Sequence, residues 1–242
     1  TMQLPSSTLA RDRRAALSRE DQDLFLQMLQ VEIHHLVRSA QARDLVPAVR
    51  LNGTSDVPWE TLHPELFGQF ENVRFYDYTK LAPRMRGFLR GQTGRGKWPA
   101  NYHLTFSADE ANRAEAERLL ALGGNVAVVF WPELPRRWWN RPVIDGERHD
   151  ARFLDPSGVI VGLKAKGIAR VDLMGFVVRP CPRCEATAPE LSLVSHAEDS
   201  HRNTRHACRV CGYELSSRWI LPHARKAAAW TFHRPRCQQD AA

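Results

Sequence analysis

Every cysteine of this chain lies beyond residue 180, and four of the five form two Cys-x-x-Cys pairs, Cys181/Cys184 and Cys208/Cys211. A two-residue gap lets both thiolates of one tight turn point at a single metal. Two such turns brought together complete a tetrahedral tetrathiolate site. The 23 residues between the pairs slightly exceed the usual separation, which costs little because loop closure depends weakly on length. Gly212 follows the second pair, where such turns often need a backbone without Cβ. The spacing predicts a structural zinc ribbon over residues 179–216, closed to catalysis on the metal and supplying folding free energy to a module with little core. The competing readings are two disulfides, disfavoured in an intracellular chain, and four free thiols, disfavoured by the paired spacing. His196, His201 and His206 fall near these pairs, so a histidine could replace one cysteine, whereas Cys237 stands alone.

Upstream of the cysteines, short apolar runs alternate with helical or loop segments. The runs are 48–52, 73–79, 101–107, 125–130 and 158–163. Ser18 with Asp21 reads as a helix start, and Phe25, Met28, Leu29, Ile33, Leu36 and Val37 then recur at helical spacing. Ser107 reads as the N-cap of a second helix, with Asp109 and Glu110 in its first turn and Gly123-Gly124 at its end. Turns are expected at Asp145-Gly146 and at Asp155-Pro156-Ser157-Gly158. Strand–helix–strand rhythm predicts parallel strands with crossover helices. The expected fold is α/β, a partial or modified TIM-like barrel over residues 1–178, followed by the zinc ribbon at 179–216 and a basic tail at 217–242.

In such folds active sites form at the carboxyl ends of the strands. Asp56, Lys80 and His103 fall there as candidate acid–base groups, with Arg50, Asn52, Ser55, Tyr78 and Asn101 as candidate substrate contacts. Each also has a structural reading, as a helix cap, a solvated lysine or a hydrogen-bonded core histidine. A second candidate is the segment from Val143 to Lys166, whose Asp145, His149, Asp150 and Asp155 carry the side chains of a divalent-metal or acid–base site. Their spacing matches no specific motif, and a turn-rich hairpin explains the acids equally well. No Gly-rich phosphate loop, Gly-x-Ser-x-Gly elbow or His-Glu-x-x-His helix is present.

Net charge is +7 and the pI about 9.5, which favours polyanionic partners through counterion release, although solubility alone would also account for it. The cations cluster at 11–14, from Arg84 to Lys97, at 136–137 and after Arg218. Arg218, Arg225 and Lys226 are the candidate nucleic-acid contacts, with Trp219, Trp230 and Phe232 available to stack on bases or to pack the tail. No apolar run approaches the roughly 20 residues of a membrane helix, and the first residues lack the apolar core of a signal peptide. The expectation is a cytoplasmic protein without a membrane partner. The chain begins with Thr1, so a processed product, a tagged chain and a fragment all stay open.

Four runs, ArgLeuAsnGlyThrSerAsp at 50–56, PheTyrAspTyrThrLys at 75–80, AsnTyrHisLeuThrPheSer at 101–107 and ArgPheLeuAspPro to LysAlaLysGly at 152–167, resemble the phage gene product 88 family over about residues 10–170. The first three runs are more distantly similar to barrels of the radical S-adenosylmethionine type. In those barrels an upstream cysteine cluster holds iron and sulfur. No cysteine precedes Cys181, so neither an iron–sulfur cluster nor S-adenosylmethionine is expected here. The resemblance implies a phage or mobile-element protein of a bacterial host, with no settled activity. Joined to the rim residues, it suggests an enzyme acting on a nucleotide or nucleic acid with an accessory zinc module. The alternative is a non-catalytic, zinc-dependent binder of nucleic acid or of a host protein.

Overall fold

The computed structural model describes residues 5–131, 133–172 and 175–178, together with the backbone of strands at 191–197, 203–208, 214–218 and 230–231. Two helices lead, α1 (Pro5–Glu20) and α2 (Gln22–Gln41). The carboxylate of Asp21 caps α2 by accepting from the Leu24 N–H at 3.0 Å. The expected start at Ser18 thus moves three residues on, and Ser18 falls inside α1. Phe25, Leu26, Leu29, Ile33 and Val37 of α2 pack on the core, largely an i, i+4 row. Met28 and Leu36 lie off that row and are exposed.

The core sheet is assembled from β1 (Ala48–Arg50), β2 (Arg74–Thr79), β3 (Tyr102–Ser107) and β4 (Val126–Phe130). Between them come α3 (Trp59–Leu62) and α4 (Pro64–Gln69), then α5 (Ala82–Gln92), then α6 (Arg113–Ala121). A hairpin, β5 (Arg137–Trp138) and β6 (Arg141–Asp145), precedes β7 (Ile160–Lys164) and the short β8 (Val177–Val178). The order is β1-β2-β3-β4-β7-β6-β5, with β8 also on β4. All of these pairs are parallel except β5 with β6. The α/β expectation therefore holds as an eight-stranded, mostly parallel sheet. Its order ends at β1 and β5, and no pairing among the described residues joins those ends into a barrel.

Strands β1 to β4 are neighbours in both chain and sheet. Right-handed crossovers between such neighbours place their helices on one face, and α5 accordingly touches β2 and β3 while α6 touches β3 and β4. Phe75, Tyr102, Leu104, Phe106, Met85, Leu119 and Leu120 build the core. On β2, Tyr76 alternates away from Phe75 and meets Phe153 at 6.0 Å between ring centroids. The short 3-10 turn Arg152–Leu154 thus covers the second face.

Ser107 does not cap the helix that follows. Asn112 takes that place, accepting from the Asp109 N–H at 2.9 Å and donating to the Ser107 carbonyl at 3.0 Å. The exit from α6 is as expected, with Gly123 at φ +90°.

After residue 178 a separate four-stranded antiparallel sheet forms from β9 (Leu191–Ala197), β10 (Asn203–Cys208), β11 (Glu214–Arg218) and β12 (Trp230–Thr231), in the order β12-β11-β10-β9. Cys208 ends β10, with Leu191 as its register partner. Cys181, Cys184, Cys211, Arg225 and Lys226 lie outside the described residues, and of Arg218 only the backbone is described. Trp230–Thr231, expected in the basic tail, pairs with β11 as a strand.

Candidate functional site

The sequence-predicted residues separate into a buried lattice and an open cleft. The lattice is centred on Asp77, whose side chain on β2 is buried beneath α5. Its carboxylate accepts from the Asn52 N–H at 2.7 Å, from Asn52 Nδ2 at 3.1 Å and from Tyr102 Oη at 2.7 Å. Burial pushes Asp77 up to about 6 despite these donors. Burial also raises the Tyr102 phenol, with the Asp77 charge adding to it. Asn52 Oδ1 in turn accepts from Ser55 Oγ, the Val57 N–H and Trp59 Nε1, which organises the loop after β1.

Arg84 of α5 extends the lattice. Its guanidinium donates to Asp56 Oδ1 at 2.8 Å, to both carboxylate oxygens of Glu60 and to Tyr102 Oη. Asp56 also accepts from Thr79 Oγ1 at 2.9 Å and from the Lys80 N–H at 2.8 Å. Asn101 donates to the carbonyls of Phe67, Phe70 and Val73 and thereby ties α4 to the entry of β3. Asn52, Ser55, Asp56 and Asn101 are thus engaged in holding β1, β2, β3, α4 and α5 together. Lys80 Nζ reaches out to Asp109 at 2.7 Å and lies 5.8 Å from the Phe176 ring centroid.

The cleft, of about 680 Å³, opens where the sequence rhythm places a site, at the carboxyl ends of the strands. Arg50 from β1, Tyr78 from β2, Ser107 from β3 and Lys164 from β7 line it, together with Lys166, His149 and Asp150. Of the residues predicted from sequence, Arg50 and Tyr78 of the rim are here, with His149 and Asp150 of the second candidate segment. Asp150 is drawn in by the hydroxyls of Tyr76 at 3.1 Å and Tyr78 at 3.4 Å, with Arg50 Nη1 at 3.6 Å. The Arg50 guanidinium sits 4.7 Å from the Tyr78 ring centroid. Burial pushes the Tyr78 phenol up to about 12 and also raises Tyr76. Both phenols are therefore neutral donors at pH 7. Lys166 pairs with Glu147 at 2.8 Å, and Lys164 with Glu133 at 3.4 Å.

Beneath the cleft Arg152 is fully buried and pairs with Asp155 at 3.2 Å. It also donates to the His149 carbonyl. His103 is close by. Burial, with the Arg152 charge second, lowers it from 6.5 to about 4. Its Nε2 is buried without a hydrogen-bond partner among the described residues, and its ring meets Phe88 edge-on at 5.0 Å. His103 is therefore a neutral residue under the floor of the cleft.

A family model described as Gene product 88 matches residues 2–190. The chain belongs to the gene product 88 family. No curated protein and no solved structure matches it. The match takes in both the lattice and the cleft, and it ends between the two Cys-x-x-Cys pairs.

Ser107 falls on the rim in the sequence reading but reads there as a helix cap, and Lys164 and Lys166 fall inside the second candidate segment without being named as site residues. The lysines carried a usable signal, two cations directly after an apolar strand in an α/β pattern. Arg152 carried none, since arginine is ordinarily exposed. Of the four polar residues in the hairpin segment, His149 and Asp150 reach the cleft, Asp155 pairs with Arg152, and Asp145 accepts from the Glu147 N–H. Among the described residues no three His, Cys, Asp or Glu side chains cluster as metal ligands. No helix among them is long and apolar enough to cross a membrane.

Proposed function

We propose that this family member is an enzyme that binds a phosphate-bearing ligand, a nucleotide or a nucleic-acid end, in the cleft at the carboxyl ends of β1–β4 and β7. The observation that carries the reading is the convergence of Arg50, Lys164 and Lys166 on one cleft that also holds His149 and Asp150. Cations beside a carboxylate and an imidazole suit phosphate binding with proton transfer nearby. Asp150, held by two phenols and Arg50, is the proton-transfer group in this reading. His149, on the adjacent position, is its partner. Tyr78 and Phe176 supply aromatic surface for a base.

Calorimetric titration of the full chain with ribo- and deoxyribonucleoside mono-, di- and triphosphates tests the reading. Saturable binding that weakens on the order of tenfold or more in Lys164→Ala/Lys166→Ala is expected, since each charge-assisted contact contributes roughly 1.5–3 kcal/mol. Absence of binding by every member of the panel at millimolar concentration would overturn it. An accessory structural zinc held by Cys181, Cys184, Cys208 and Cys211 is part of the proposal. The paired spacing supports it, as does the position of Cys208 at the end of β10, where the chain turns back into β11. One zinc per chain by elemental analysis, lost in Cys208→Ser, is expected; a metal-free native protein would retire it.

A further inference from the structure

We propose that the C-terminal end of α5 and the turn after it form a docking surface for the phosphate backbone of a nucleic acid, separate from the cleft and independent of what the cleft binds. The chain carries no Asp or Glu between Asp77 and Asp109, while Lys80, Arg84, Arg86, Arg90, Arg95 and Lys97 all fall in that interval. Three of these are committed elsewhere, Arg84 to the buried lattice, Lys80 to Asp109 and Arg86 to Glu115. Arg90, Arg95 and Lys97 are exposed and make no ion pair with a described residue.

The backbone holds these cations together. Two residues beyond the end of α5 stands Gly94 at φ +69°, its N–H donating to the Gly91 carbonyl at 3.0 Å. The Arg95 N–H then donates to the Arg90 carbonyl at 2.9 Å. This pair of bonds is a Schellman motif, which folds the chain back over the last helical turn and brings Arg95 beside Arg90. Gly91 allows the return, because a Cβ there would stand 2.2 Å from Trp98 Cβ. Trp98 anchors the turn by donating to the Tyr102 carbonyl at 2.7 Å and stacking on Tyr102.

A single cation at a helix C-terminus is accounted for by the helix dipole. Three unpaired cations gathered on one ordered turn repel one another, and a line of phosphates relieves that repulsion. On the neighbouring helix, Glu115 is shared by Arg86 and Arg118 and so leaves the surface basic. Trp98 is turned inward, so the contact is ionic, indifferent to base sequence and strongly salt-dependent.

The test is fluorescence anisotropy of the full chain with a labelled 20-nucleotide DNA of mixed sequence, single-stranded and duplex, across a salt series. Arg90→Ala/Arg95→Ala/Lys97→Ala should lower affinity at least tenfold at low salt and flatten the log–log salt slope by about 2 to 3, since each lost phosphate contact removes about 0.7 to 0.9. Arg90→Lys/Arg95→Lys should retain the slope, and Arg38→Ala/Arg43→Ala, which removes two exposed cations from another part of the chain, should retain the affinity. Equal loss with single strand and duplex supports the backbone reading. An unchanged slope in the triple alanine variant overturns it, as does loss of DNA binding only in the cleft variant, Lys164→Ala/Lys166→Ala. Failure of the cleft proposal leaves this result standing, because the two variants do not overlap.

Discussion

His103→Leu should change how the protein responds to acid. In the folded chain burial and the Arg152 charge lower His103 from 6.5 to about 4. As pH falls, the unfolded chain therefore takes up this proton first. The stability associated with neutral His103 is complete above 6.5 and is lost as pH falls toward 4. At about 1.4 kcal/mol for each pH unit, that displacement corresponds to roughly 3 kcal/mol. Leucine removes the proton site, and His103 Nε2 has no hydrogen-bond partner among the described residues to strand. The free-energy difference between variant and parent should thus shift in favour of the variant by about 3 kcal/mol between pH 7 and pH 4. Urea unfolding followed by tryptophan fluorescence at pH 4, 5.5 and 7 measures it, and taking the difference cancels every other titrating group. A difference constant to within about 1 kcal/mol would mean that His103 is neither desolvated nor close to the Arg152 charge.

Asp77 titrates in the opposite sense. Its folded value of about 6 lies above the ordinary 3.8, so the folded chain binds the proton first and gains stability as pH falls through that interval. A carboxyl carbon resonance with its midpoint near 6 is expected; one below 4 would show that the three donors outweigh burial. Arg84→Met should cost about 3–5 kcal/mol in chemical denaturation, because it leaves Glu60 and Asp56 unpaired beside a largely buried tyrosine. Arg84→Met/Glu60→Leu should recover more than half of that loss, and no recovery would locate the cost in packing instead of charge.

The strands of the core sheet were readable because each is a short apolar run bounded by turn signals. All five expected runs carry strands, β1 to β4 and β7. The two-residue strands β5 and β8 gave no such run and became visible only through their partners β6 and β4. A cleft does open at the strand ends, where the rhythm of the sequence placed the candidate rim. Position at a strand end did not separate Asp56 and Asn52, which turn inward to Arg84 and Asp77, from Arg50 and Tyr78, which face the cleft. That division depends on which donors arrive from α5 and β3, and spacing along the chain does not encode it. The Ser107 misreading has a similar cause, since Asn112 competes for the same backbone groups and Ser107 is left free to line the cleft.

The order of the sheet also bears on how the molecule is made. β1 to β4 meet their neighbours as each emerges, whereas β7 reaches β4 only after an intervening hairpin. A nascent chain ending at residue 131 already contains every residue of the Asn52–Asp77–Tyr102–Arg84 lattice. It lacks His149, Asp150, Lys164 and Lys166, four of the residues lining the cleft. Domains fold as they leave the ribosome, N-terminal parts first. The residues of the lattice are therefore all available before the lining of the cleft is, and the cleft is completed last, with β7.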